Sequence, residues 1–129
     1  MAQQDLSPTI RAIIGEAAGE GPEGMLRVAK VILTRADQRR LHPDEIVMQP
    51  RQFSAMARPD LEQFIAKQPP SVVRDAHAAL EEATKTWNPH RPYATHYMTT
   101  ALHQSPKRPA WANRMKVVER YGGHVFLNE

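Results

Sequence analysis

Two glutamates stand four residues apart in Ile14-Gly15-Glu16-Ala17-Ala18-Gly19-Glu20-Gly21-Pro22, and their surroundings differ. Ile10, Ile13, Ile14 and Ala17 recur at helical spacing, which puts Glu16 in the last turn of an apolar helix. A carboxylate there faces the negative end of the helix dipole, which disfavours its ionised form. Partial burial beside isoleucines acts in the same direction. Both suit a general acid that keeps its proton near neutral pH. Glu20 adjoins the start of the next helix, where negative charge is favoured. Two carboxylates in different fields can divide the work of acid and anion. The competing assignment makes both surface residues at a helix junction, with Glu20 serving only the helix start.

Other chemistries leave fainter traces. The chain has no cysteine, which excludes disulfides, thiolate zinc sites and a cysteine nucleophile. No His-Glu-x-x-His occurs, yet His96, His103 and His124 could meet in space, so a zinc hydrolase stays open as an alternative. Neither Ser54 nor Ser71 sits in a Gly-x-Ser-x-Gly elbow, and no glycine loop for phosphate or dinucleotide is present. Trp87, Tyr93, Tyr97, Trp111 and Tyr121 are interleaved with Arg91, Lys107, Arg108 and Arg114. Exposed aromatics of that kind stack on sugars or bases, while buried ones form the core of a small sheet.

Charge follows the same division. Of 129 residues, 17 are Lys or Arg and 14 are Asp or Glu, giving +3 with histidine neutral. Residues 1–86 carry net −1 and residues 87–129 net +4, and four of the six histidines lie in the second stretch. A basic C-terminal third suits a polyanionic surface, and a nucleic-acid-binding module is a second alternative; the simplest account is a solvated basic face. Met1 to Pro8 is polar, and Arg11, Gly15 and Glu16 interrupt the first apolar cluster, so a secretion signal is not expected. No segment approaches the ~20 apolar residues of a membrane span.

The elements that must position these residues are punctuated by proline and glycine. Ser7-Pro8 reads as an N-cap and first helical residue. Gly19-Glu20-Gly21-Pro22 stops that helix and starts another, with Gly21 available as a cap. Met25, Val28, Ala29, Ile32, Leu33 and Ala36 then form an apolar stripe ending near Arg40. A short turn from Pro43 through Met48, a short helix around Leu61, Phe64 and Ile65, and a helix carrying Val72, Val73, Ala76, Ala79, Leu80 and Ala83 follow. Pro69-Pro70-Ser71 is expected to break the chain and cap the last of these. Asn88 to Pro92 reads as a loop, Tyr93 to Thr100 as a strand, and Lys107 to Ala112 as a loop or single turn. Lys116 to Tyr121, Gly122-Gly123 and His124 to Leu127 form a hairpin with a two-residue turn. Helices first and a small antiparallel sheet in the C-terminal third make an α+β fold, and the length predicts one domain over residues 1–129.

Gly15-Glu16-Ala17-x-Gly19-Glu20-Gly21-x-Glu23-Gly24-Met25, followed by Val28-Ala29-x-Val31-Ile32-Leu33-x-Arg35, resembles the SleB-type cell wall hydrolases, which include spore-cortex-lytic enzymes and phage endolysins. Gln52-Phe53-Ser54, Ala94-Thr95-His96-Tyr97, Pro109-Ala110-Trp111-Ala112 and Gly123-His124-Val125-Phe126 agree in order, from about Ile10 to Phe126. The chain departs from the family pattern at Ala18, Thr34 and Ala55, where arginine, asparagine and tryptophan are common, and this bears on the detailed sugar contacts.

The resemblance implies a lysozyme-like, mostly helical domain that cleaves the β-1,4 bond between N-acetylmuramic acid and N-acetylglucosamine. By position Glu16 is the catalytic acid, with Glu20 the nearby second carboxylate. Gln52, Phe53, Ser54, Thr95, His96, Tyr97 and His124 would line or support the cleft. The expected outcome is that of a lytic transglycosylase; a muramidase using water and a zinc-dependent N-acetylmuramoyl-L-alanine amidase are the alternatives. The expected partner is the glycan strand, for a monomer that needs no cofactor or metal, binds no nucleic acid and does not insert stably in a membrane. An endolysin of this kind is made in the host cytoplasm and acts on the wall, in the periplasm, after release at lysis.

Overall fold

The computed structural model of the chain describes residues 6–50, 52–91 and 93–128; Pro92, expected in a loop, lies outside them. The chain divides into two compact units, residues 1–87 and 88–129. The first is helical and the second holds the sheet, so the α+β class with a small antiparallel sheet near the C-terminus is borne out.

In the first unit, α1 (Pro8–Ala17) starts as its sequence predicts: the Ser7 hydroxyl accepts the Ile10 N–H at 3.2 Å and Pro8 opens the helix. Such a cap is worth about 1 kcal/mol. Ile10, Ala12, Ile13, Ile14 and Ala17 are all buried, because α1 runs through the middle of the unit. It touches α2 (Gly21–Arg39), α3 (Pro43–Met48), α4 (Leu61–Ala66) and α5 (Pro70–Thr86). Its first turn is tied to α3, where Asp44 Oδ1 accepts both the Thr9 N–H at 3.1 Å and the Thr9 hydroxyl at 2.6 Å. The apolar stripe of α2 packs along α5, and the indole N–H of Trp87 donates to the Thr34 hydroxyl at 3.1 Å.

A 3-10 turn at Ala18–Glu20 joins α1 to α2. Gly21 ends that turn at φ 75° and ψ −178°, a conformation open to little besides glycine. Glu20 stands at the N-cap position but makes no capping hydrogen bond with its side chain. At the far end, α2 stops where Arg40 turns left-handed at φ 54°.

Two local expectations need correction. Ser71 lies inside the first turn of α5, whose N-cap is Pro69 with no side-chain bond; Pro70 opens the helix because its ring pre-sets φ. The strand expected over 93–100 is only β1 (His96–Thr99). Its end is chemical: Thr99 Oγ1 accepts the Leu102 N–H at 3.1 Å, capping α6 (Thr100–His103), a turn of helix that the Thr-rich sequence conceals.

In the second unit β2 (Lys116–Tyr121) and β3 (His124–Asn128) form the expected hairpin, with Gly122 at φ 57° in the two-residue turn. The sheet order is β1-β3-β2, all antiparallel. One sheet face carries Met98, Val125 and Leu127, which cluster with Ala112 from a 3-10 turn at Ala110–Arg114.

The glycine requirement at Gly21 is conformational, since nothing lies within 4 Å of an added Cβ there. Gly21→Ala is expected to cost about 1–3 kcal/mol in thermal unfolding, whereas Gly19→Ala, in open space without a left-handed φ, is expected to stay within about 0.5 kcal/mol.

Candidate active site

Glu16 occupies the last turn of α1 and is half-buried, as its sequence position predicts. What faces it is a second segment, Gln52 to Ala57, whose last four residues form a 3-10 turn. The Ala55 N–H donates to Glu16 Oε2 at 2.8 Å, and the Ser54 hydroxyl approaches the same oxygen at 3.5 Å. The first is a short hydrogen bond; the second is at the outer limit of one. Glu16 and Ser54 are therefore brought together, with Ser54 exposed beside the carboxylate.

Gln52 and Phe53 support that turn. Arg35, only 7% exposed, donates to the Gln52 carbonyl at 3.3 Å and to its side-chain oxygen at 3.4 Å. Its guanidinium lies 4.9 Å from the centre of the buried Phe53 ring. Arg39 donates to the same Gln52 oxygen at 2.8 Å and to Gln49 at 3.1 Å. Just past the turn, Arg58 donates twice to Asp60, at 3.0 and 2.9 Å, which holds that exposed carboxyl below its ordinary range. The guanidinium of Arg58 also sits 4.6 Å above Phe64.

In the second unit, Thr95 is buried and gives its N–H to the Leu127 carbonyl at 2.8 Å, while its hydroxyl meets His96 Nδ1 at 2.9 Å. The His96 ring lies 4.8 Å from Trp111, which is 43% exposed. Tyr97 stacks on Phe126 at 5.5 Å and meets the edge of His124 at 6.1 Å. His96 pairs with Leu127 and His124 with Thr99, so strand alternation puts the two histidines on opposite faces. Among the described residues no group of three or more His, Asp or Glu is placed to hold a metal.

Two participants were missed from the sequence. The Ala55 N–H is a main-chain group and leaves no mark in residue type. Arg35 does leave one: it falls seven residues after Val28 and three after Ile32, on the apolar stripe, where a charge requires a partner.

A helical unit that presents one carboxylate to a main-chain donor, followed by a small antiparallel sheet, is a mostly helical α+β architecture. Residues 19–127 match the family model described as Cell Wall Hydrolase, and the chain belongs to that family. The matched span contains Glu20, the Gln52–Ser54 segment and the sheet residues, and begins three positions after Glu16. Among solved structures, the catalytic domain of the germination-specific lytic transglycosylase SleB from Bacillus anthracis is similar, with 24% identity, a TM-score of 0.69, and 99% and 97% of the two chains covered. The catalytic domain of the Bacillus cereus SleB protein is similar at 22% identity and a TM-score of 0.66, with 99% and 95% covered. These likenesses bear out the expected lysozyme-like fold. No curated protein matches the chain.

Lysine cannot reproduce the guanidinium fork of Arg35. Arg35→Lys is expected to lower stability by about 1–3 kcal/mol in denaturant unfolding. It is also expected to speed proteolytic cutting within residues 52–58 under native conditions.

Proposed function

We propose that the chain cleaves peptidoglycan glycan strands at the β-1,4 bond between N-acetylmuramic acid and N-acetylglucosamine, as a lytic transglycosylase with Glu16 as general acid and then base. The observation that carries this is Glu16 itself: a half-buried carboxylate at a helix end, oriented by the Ala55 N–H, in a member of the cell wall hydrolase family. The similar B. anthracis protein is a lytic transglycosylase, which favours this outcome over simple hydrolysis.

In the proposed reaction the Glu16 carboxyl gives its proton to the glycosidic oxygen, and the bond to the muramic acid C1 breaks through an oxocarbenium-like state. The N-acetylglucosamine side departs with its 4-hydroxyl restored. The muramic acid's own 6-hydroxyl then attacks C1, and its proton returns to Glu16. A 1,6-anhydro end forms and no water is consumed. Ser54, exposed beside Glu16, is placed to meet the substrate, while Gln52 and Phe53 act by holding the turn. Of the sheet residues, Tyr97 and His124 share one face and remain proposed glycan contacts, buried Thr95 acts as support, and His96 lies on the opposite face beside exposed Trp111, which is able to stack on a sugar ring.

A muramidase reading keeps the same acid and uses water with Glu20 as second carboxylate. Its support is that Glu20 is half-buried and follows Glu16 by four residues, at the end of the 3-10 turn between α1 and α2. The proposal extends to an endolysin role for a monomeric single catalytic domain, made in the host cytoplasm and acting on the wall after release at lysis. The basic stretch over residues 87–129 supports attraction to an anionic envelope, weakened by salt. Among the described residues no helix is long and apolar enough to cross a membrane.

Glu16→Gln is expected to stay folded and to lose at least ~1,000-fold in lysis of purified sacculi; a folded variant with full activity refutes the assignment. Glu20→Gln is expected to lose much less, whereas an equal loss favours the two-carboxylate hydrolase. Mass spectrometry of the digest reads the outcome directly. Anhydro-muramic ends are expected; reducing muramic ends indicate a muramidase, and free stem peptides an amidase.

A further inference from the structure

Gly15 precedes the proposed acid, and its place in α1 gives it no conformational reason to be glycine. It lies inside a regular helix without a left-handed φ, where alanine is favoured by about 1 kcal/mol. The reason is across the gap. A Cβ at Gly15 would stand 2.7 Å from Ala55 Cβ, 3.1 Å from Leu61 Cδ1 and 3.9 Å from Ala55 Cα. Leu61 can rotate its methyl away, but Ala55 Cβ has no torsion to turn and moves only with its main chain. Ala55 is also the residue whose N–H donates to Glu16 Oε2 at 2.8 Å. Contact and hydrogen bond therefore share one rigid group.

We propose that Gly15 is a positioning residue: its missing side chain sets how closely the Ser54–Ala57 turn approaches α1, and so holds the Ala55 N–H at bonding distance from the Glu16 carboxylate. The proposal rests on Glu16 being the acid. Restoring ordinary contact between two methyl groups requires about 1 Å of displacement. A displacement of that size along the bond takes a 2.8 Å hydrogen bond out of the effective range. Misplacement on this scale costs a reaction up to about 100-fold. The pairing is reciprocal, because a small residue is needed on both sides. Ala55 therefore matters for its size as well as for its amide.

The test compares Gly15→Ala, Ala55→Gly and the double variant on soluble glycan-strand fragments, with the Ala55 amide followed by NMR. Gly15→Ala is expected to lower kcat about 10–100-fold with KM within about twofold, and to move the residue-55 amide proton upfield as its bond lengthens. Adding Ala55→Gly removes the obstructing methyl and is expected to recover at least about tenfold of that kcat. A Gly15→Ala protein that unfolds at lower temperature but keeps its kcat overturns the proposal, and so does a double variant without recovery. Should Gly15→Ala fail to fold, Ala55→Val presses on the same gap from the turn, and an unchanged kcat there is equally decisive. Glu16→Gln separates the two levels. If it stays active, the acid assignment fails; if it is inactive while Gly15→Ala is normal, only the role of Gly15 fails.

Discussion

The hydrogen bond from the Ala55 N–H to Glu16 joins segments 39 residues apart, and the arrangement of the helical unit converges on it. A half-buried carboxylate with nothing to orient it is costly and catalytically imprecise. Here a main-chain donor orients it, and a main-chain donor is only as well placed as the segment carrying it. That segment is held from two directions. Arg35 and Arg39 grip Gln52 on its approach, and the Gly15 gap admits Ala55. The other partner, α1, is anchored at its far end by Thr9 on Asp44.

The sheet unit follows a different economy. Its Met98, Val125 and Leu127 face builds a core with Ala112, and the opposite face carries Tyr97, His124 and Phe126. Strand alternation alone produces this division. It also puts His96 and His124 on opposite faces of the sheet. His96 instead lies between the Thr95 hydroxyl and the Trp111 ring, so its orientation is set by polar and aromatic neighbours together.

Much of this was legible in the residues. Ser7-Pro8 announces α1, the stripe from Met25 to Ala36 announces α2, and Gly122-Gly123 announces the hairpin, because each depends on neighbours within one helical turn or one reverse turn. Glu16 stood out for the same local reason, as a charge at the end of an apolar run. The failures share a cause as well. Tyr93-to-Thr100 looks extended by propensity, but a Thr99 side chain bonding three residues ahead turns the chain into α6. Ser71 looks like a cap, yet the prolines before it shift the helix start.

The sequence by itself determined the helices, the hairpin, the cysteine-free chemistry and the candidate acid, since propensity, periodicity and charge act over a few residues. Only the tertiary structure decided what faces that acid. The Ala55 N–H, the Arg35 grip on Gln52 and the steric need for Gly15 arise between segments far apart in the chain. The first is a main-chain donor and the third is the absence of a side chain, and neither has a signature in residue type until packing brings its partner within reach.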